Sequence, residues 1–160
     1  MSNSSIRLDG KKILITGVSR PLGIGATLAK RFAEAGATVA VHGYSTYDLT
    51  VGEHNSATLF TSGQTNSPMT NEIPYCAAKE AVSNLCRQAM TDLGKRNIRI
   101  NCINPGPNDT GYYPGDTSRW CTPDDAADLA LFLHSDYAKC ITGQIIASDK
   151  GEGFGGNFVL

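Results

Sequence analysis

Tyr75 and Lys79 are the residues of this chain best placed by type and spacing to move a proton. At i and i+4 of a helical segment they share a face, and an ammonium beside a phenol stabilises phenolate, lowering a pKa that starts near ~10 toward working pH. Tyr75 then serves as a proton donor or acceptor. Ser62, thirteen positions earlier at the end of a short strand pattern, could hydrogen-bond the same substrate oxygen. A chain with six tyrosines produces such a pair by coincidence readily, so the pair draws its weight from context.

A second constellation lies near the N-terminus, where Gly17, Gly23 and Gly25 punctuate Gly-Val-Ser-Arg-Pro-Leu-Gly-Ile-Gly. The apolar run Lys-Ile-Leu-Ile-Thr at 12–16 precedes it as a buried parallel strand. Residues 26–35 follow with Leu28, Ala29, Phe32 and Ala33 at helical spacing, and Gly36 stands where a helix stops in the left-handed conformation. Residues 38–41 make the next strand, so 11–43 is one βαβ unit of roughly 30 residues. A strand feeding a helix through glycines leaves unpaired N–H groups at the positive helix end and lets a pyrophosphate approach the backbone. Glycines alone would also serve a tight loop, but strand, helix and strand again favour a dinucleotide. Gly17, Ser19, Arg20, Gly23, Ile24 and Gly25 are the candidate contacts. No acid follows the second strand before Asp48 to hold a ribose 2′-hydroxyl. Arg20 could pair with a phosphate or remain a solvated loop charge, and NADP is favoured over NAD.

The remaining elements position the Tyr/Lys pair. A strand at 57–61 ends in Ser62-Gly63, and Ile73-Pro74 opens a helix over 75–93 with Ala78, Val82, Leu85, Ala89 and Leu93 on one stripe, stopped by Gly94. A strand at 98–103 leads into Asn104-Pro105-Gly106-Pro107-Asn108-Asp109-Thr110. Thr122-Pro123-Asp124-Asp125 supplies a cap, a first-turn proline and two acids for a helix that turns Ala126, Leu129, Ala130 and Leu133 inward. A last strand covers 144–147.

With 160 residues, 41% hydrophobic and 18% charged, the composition is that of one folded domain, 1–160, with a buried core. A net charge of -1 gives no basic excess for a phosphate backbone, so nucleic acid is not an expected partner. Nowhere is there an apolar run of bilayer length, and residues 1–12 lack the apolar core of a signal peptide, which points to a cytoplasmic protein with no membrane partner. Cys76, Cys86, Cys102, Cys121 and Cys140 are odd in number, without a C-x-x-C pair, and fit reduced thiols acting as small core residues; no metal is expected.

Taken together, the Thr16-Gly17 turn, Ser62, Tyr75-x-x-x-Lys79, Pro105-Gly106 with Thr110, and the closing Ile141-Thr142-Gly143-Gln144 resemble the short-chain dehydrogenase/reductase family in order. The resemblance covers nearly the whole chain except roughly 44–55. It implies a Rossmann-like, doubly wound parallel α/β sheet and an NAD(P)-dependent oxidoreductase interconverting a ketone and a secondary alcohol. On this resemblance Tyr75 is the acid/base, and Lys79 lowers its pKa and holds the nicotinamide ribose. Ser62 orients the small-molecule carbonyl or alcohol substrate, and Thr110, beside Pro105 and Gly106, contacts the nicotinamide carboxamide. The loop from Pro107 to Cys121 is then a mobile flap over substrate; as plain sequence it reads equally as a surface loop.

Two departures from the family pattern matter. The glycine turn is two residues longer between its first two glycines. Between residue 41 and the strand at 57, the family places two further strands with their helices, on the order of 70 residues; this chain has fewer than twenty. The sheet is therefore expected to be shortened by about two strands, one of them central. Its loss leaves either a hole or a direct pairing of the first strand with the strand at 57–61. One helix of the family's dimer contact is missing too, which leaves a homo-oligomer open. The alternative function is an internally shortened, inactive member that at most binds nucleotide or a full-length partner.

Overall fold

The computed structural model describes residues 6–16, 18, 21–42, 56–111 and 113–151. Among the described residues, five strands and three α-helices appear in the order β1 (Lys12–Thr16), α1 (Ile24–Glu34), β2 (Thr38–His42), β3 (Ser56–Phe60), α2 (Ile73–Gly94), β4 (Arg99–Asn104), α3 (Pro123–His134) and β5 (Ile145–Ala147). All strand pairs are parallel, with helices on both faces, as in a doubly wound Rossmann-like fold. Local signals account for the ends of these elements. Gly36 closes α1 at φ +96°, and Thr122 caps α3 in a capping box whose reciprocal partner is Asp125. Gly94, expected to stop α2, lies inside it; the left-handed residue is Asn97 (φ 57°), and the Ile98 N–H returns to the Leu93 carbonyl.

The expected loss of a central strand takes the form of a hole. β1 pairs with β2, in register Lys12↔Thr38 to Thr16↔His42, and β3–β4–β5 form a separate sheet. Between β1 and β3 lies a cavity of about 710 Å³. The sheets are joined by helices: α1 covers β1 and β2, α3 covers β3 and β4, and the two helices pack on each other. One apolar core follows that seam, running from Ile13, Ile15 and Phe32 to Ile103, Ala130 and Leu133. Arg31 of α1 adds surface ion pairs to Asp124 and Asp128 of α3.

The other face of the larger sheet packs on α2 through Cys86, Ile100 and Cys102, with Leu59, Val82 and Ala89 around them. The inward stripe of α2 is therefore rotated from the expected one. Lys79, Val82, Ser83 and Cys86 turn toward the sheet while Ala78 and Leu85 are exposed, because the buried hydroxyl of Ser83 bonds to the end of β3. The cysteines also divide. Cys86, Cys102 and Cys121 are buried, whereas Cys76 is half-buried and Cys140 exposed, contrary to the expectation that all five are core residues. Burial pushes the Cys102 thiol up to about 11.

The capping box carries a pH signature. The Thr122 N–H donates to Asp125 Oδ2 at 2.7 Å, and this bond holds the Asp125 carboxyl below the usual carboxylate range. A carboxyl depressed on folding stabilises above its unfolded pKa, and that stability is lost as pH falls through the folded value. Asp125 is exposed, so solvent screens the interaction, and Asp125→Asn is expected to cost about 0.5 kcal/mol near neutrality. The gap to the parent chain should close below about pH 4, as read by urea denaturation across pH.

Candidate active site

The C-terminal ends of β3 and β4, the first turn of α2 and the N-terminus of α1 carry the candidate residues. The β3 ladder runs one residue past the strand, since the Thr61 N–H donates to the Ile103 carbonyl at 2.8 Å. Ser62 is thus two residues beyond the last strand position, where it opens a 3₁₀ turn (Gly63–Thr65) and accepts the Thr65 hydroxyl at its carbonyl, 3.1 Å away. Tyr75 occupies the first turn of α2, where Pro74 needs no intrahelical N–H partner, and it is 41% exposed.

Lys79 follows one turn later and is half-buried. Its Nζ lies 5.8 Å from the centroid of the Tyr75 ring, within cation–π range, and donates to the Phe60 carbonyl at 3.0 Å. The ammonium is therefore held between the tyrosine ring and the end of β3. Among the described residues, no hydrogen bond joins Ser62 Oγ, the Tyr75 hydroxyl and Lys79 Nζ to one another. Lys79 lines the cavity between the sheets; Tyr75 and Ser62 are not among its walls.

A polar cluster that sequence reasoning missed fastens α2 to β3. The Lys79 carbonyl accepts from the hydroxyls of Thr61 and Ser83, each 3.1 Å away, and these hydroxyls lie 2.7 Å apart. Gln64 Nε2 donates to Thr61 Oγ1 at 2.7 Å. Thr61 is 2% exposed and Ser83 fully buried, so the cluster works in a low-dielectric interior where hydrogen bonds are strong and broken ones costly. The faint sequence signal was a serine on the inward side of a long amphipathic helix.

On the other strand end, Asn104 Nδ2 donates to Thr65 Oγ1 (3.1 Å) while its Oδ1 accepts the Gly106 N–H (3.1 Å), tying β4 to the turn after Ser62. Pro105 is buried. Gly106 has φ +60°, and a Cβ there would collide with the backbone and side chain of Asp149, so no other residue fits. Thr110 is half-buried in the loop that follows. That loop is closed at its base by the Asp109 N–H donating to the Cys121 carbonyl at 2.8 Å, and by Tyr113 against Trp120, 5.1 Å between ring centroids. A Cβ on Gly111 would stand 3.7 Å from Leu22 Cδ1, so the loop reaches the turn before α1.

At that turn Gly23 is the N-cap of α1, in extended conformation, with no capping side chain and no acid in the first turn. Ile24 and Gly25 are the first two helical residues. Among the described residues no side chain caps this turn, which suits an anionic phosphate. Gly17, Ser19 and Arg20 lie outside the described residues.

Thr61→Val is expected to lower unfolding free energy by about 1–3 kcal/mol, because Gln64 and Ser83 lose a buried partner, whereas Thr61→Ser should retain most of it. Urea denaturation of the two variants checks this.

Residues 50–152 match the family model described as enoyl-(acyl carrier protein) reductase. An uncharacterized oxidoreductase of Bacillus subtilis is 39% identical over 101 residues, covering 57% of this chain and 40% of the relative. The chain thus matches about two fifths of the length of such curated relatives. In fold, it is similar to a gluconate 5-dehydrogenase from Burkholderia cenocepacia solved with NADP and tartrate. The TM-score is 0.75 at 20% identity, covering 91% of this chain and 96% of that one. It is also similar to a 7α-hydroxysteroid dehydrogenase solved with NADH and 7-oxo glycochenodeoxycholic acid, with a TM-score of 0.72 at 23% identity over 92% and 96% of the two chains. On the matched family model and the parallel, helix-covered strands, this chain belongs to the short-chain dehydrogenase/reductase family of oxidoreductases, with a shortened central sheet.

Proposed function

We propose that this chain is an NADP-dependent oxidoreductase that interconverts a small-molecule ketone and the corresponding secondary alcohol, acting as one dinucleotide-binding domain in the cytoplasm. The single observation that carries this reading is Lys79: its ammonium sits against Tyr75 and is anchored at the end of β3, two residues from Ser62. The pair places a phenol hydroxyl and an ammonium one helical turn apart beside the end of β3, where the phenol can exchange a proton with a bound substrate.

The residues present fit a dinucleotide. The uncapped first turn of α1 at Gly23, Ile24 and Gly25, with Gly17, Ser19 and Arg20, would take its phosphates. Pro105, Gly106 and Thr110, in the stretch that follows β4, would meet the nicotinamide end. Lys79 would hold the ribose beside it. The absence of an acid after β2 favours NADP; the two solved relatives described above carry NADP in one case and NADH in the other. When bound, the reduced nicotinamide supplies a hydride to a carbonyl carbon. Ser62 orients the carbonyl oxygen by a hydrogen bond, and Tyr75 gives that oxygen its proton. In the reverse direction Tyr75 accepts the proton from the alcohol.

The hole between the sheets supports a second reading, an inactive member that binds nucleotide without turnover. Catalysis tolerates little misplacement, since a shift of about 1 Å can cost on the order of 100-fold in rate. Titration with NADPH separates the outcomes. The expected result is a saturable change in cofactor fluorescence and a rise in Tm, as for any ligand that binds only the native state; no change at about 1 mM, a generous cofactor concentration by the usual scale of affinities, would refute cofactor binding. Tyr75→Phe should then retain binding and lower carbonyl reduction by about 100-fold or more. Binding without reduction in the parent chain would establish the second reading.

A further inference from the structure

Past the last ladder bond of β3, from the Thr61 N–H to the Ile103 carbonyl, side chains hold the turn that carries Ser62 to the neighbouring strand ends. Asn104 Nδ2, at the end of β4, donates to Thr65 Oγ1 at 3.1 Å, and Asn66 Nδ2 donates to Asp149 Oδ2, beyond β5, at 3.3 Å. The single hydrogen of the Thr65 hydroxyl has two acceptors in reach, the Ser62 carbonyl at 3.1 Å and Asn66 Oδ1 at 3.2 Å. Both lie on the serine turn. At its other end the Asn104 amide accepts the Gly106 N–H on Oδ1 at 3.1 Å, so one side chain is bonded to both turns. Asn104 is 1% exposed, and its carbonyl takes the Ser148 N–H at 2.8 Å, which fixes its backbone against the end of β5.

The direction of this chain of bonds is imposed by the backbone. A side-chain amide offers an acceptor at one end and donors at the other. Because the Gly106 N–H can only donate, Asn104 must turn Oδ1 to it and Nδ2 to Thr65; the opposite orientation would set N–H against N–H. Loss of either partner leaves a buried polar atom unpaired, and the amide relieves that by turning, which breaks the bond at its other end. Gly106 is the firmer of the two anchors. At φ +60° a Cβ there would meet the backbone and side chain of Asp149, so this turn cannot give way toward β5. Position is therefore passed from Gly106 through Asn104 and Thr65 to the backbone of Ser62.

We propose that Asn104 is a positioning residue for Ser62, a two-ended clamp that holds the serine turn to the Gly106 turn and so sets where the substrate oxygen lies relative to the nicotinamide end. The proposal rests on the roles given to Ser62 and Gly106 under the proposed function. Its signature is that each turn responds to the loss of a side chain to which the reporting amide is not bonded.

Amide hydrogen exchange of the full chain, resolved by NMR, reads the clamp without cofactor. Thr65→Val should speed exchange at the Gly106 N–H by about tenfold, whereas Thr65→Ser, which keeps the hydroxyl, should stay within about twofold of the parent. Asn104→Ala should speed exchange by about tenfold at Ser67, whose N–H donates to the Gly63 carbonyl at 3.1 Å. Ala130, within α3, is the reference and should not change. Unchanged exchange at Gly106 in Thr65→Val overturns the proposal. So does equal acceleration at Ala130, which marks a general loss of stability. If Asn104→Ala does not fold, the two Thr65 variants decide alone. Where the parent chain reduces cyclohexanone with NADPH, Thr65→Val should lower kcat/KM by about tenfold at unchanged NADPH affinity, and Thr65→Ser should restore it; full turnover in Thr65→Val overturns the positioning of Ser62. A parent chain that neither binds NADPH nor reduces the ketone counts against the proposed activity, and the exchange results then decide the clamp by themselves.

Discussion

The packing of α1 against α3 is the contact on which the rest of the arrangement depends. In an unbroken parallel sheet, strand ladders would fix the distance between β1 and β3; here that distance is set by side chains at a helix seam. Arg31 reaches Asp124 and Asp128 across it, but partly exposed ion pairs are worth about 0–1 kcal/mol each. Burying Phe32, Leu131 and Leu133 contributes about 1.5–3 kcal/mol apiece, so apolar packing decides the geometry. The α1 turn belongs to one sheet, and Ser62, Tyr75 and Lys79 to the other. Their mutual placement is inherited from this seam, which is a softer constraint than a ladder of backbone bonds.

Within the larger sheet the constraints are harder. Thr61, Ser83 and Gln64 fasten α2 to β3, and Asn104 fastens the end of β4 to the turn after Ser62. Both links are hydrogen-bonded and at least partly buried, so they hold the Lys79 backbone and the turn after Ser62 against the ends of β3 and β4. Gly106 adds a steric stop, because Asp149 occupies the space any side chain there would need.

How legible this was in the sequence depends on the range of the forces involved. β1, Gly36 and the Thr122 to Asp125 box were readable because strand patterning, left-handed glycine and capping chemistry act over a few neighbours. The Tyr75 and Lys79 positions were readable through the motif. The Thr61 to Ser83 bond joins residues 22 apart and left no periodic trace, and it rotated the inward stripe of α2 away from Leu85. The exposure of Cys140 was equally invisible, since residue type gives only an average tendency to burial. A missing central strand could be counted from chain length, but whether the sheet gapes or closes is a contest between unpaired edges and helix packing. Packing of α1 on α3 and of α3 on β3 won.

Lys79 stands where the two halves of the molecule meet, and its chemistry lets it serve both. An ammonium has three N–H donors, and one is directed at the Phe60 carbonyl. The same ammonium faces the Tyr75 ring, so one side chain ties the first turn of α2 to the end of β3. The same side chain also lines the space between the sheets, and so the strand edge it caps at Phe60 borders both that space and the Tyr75 ring.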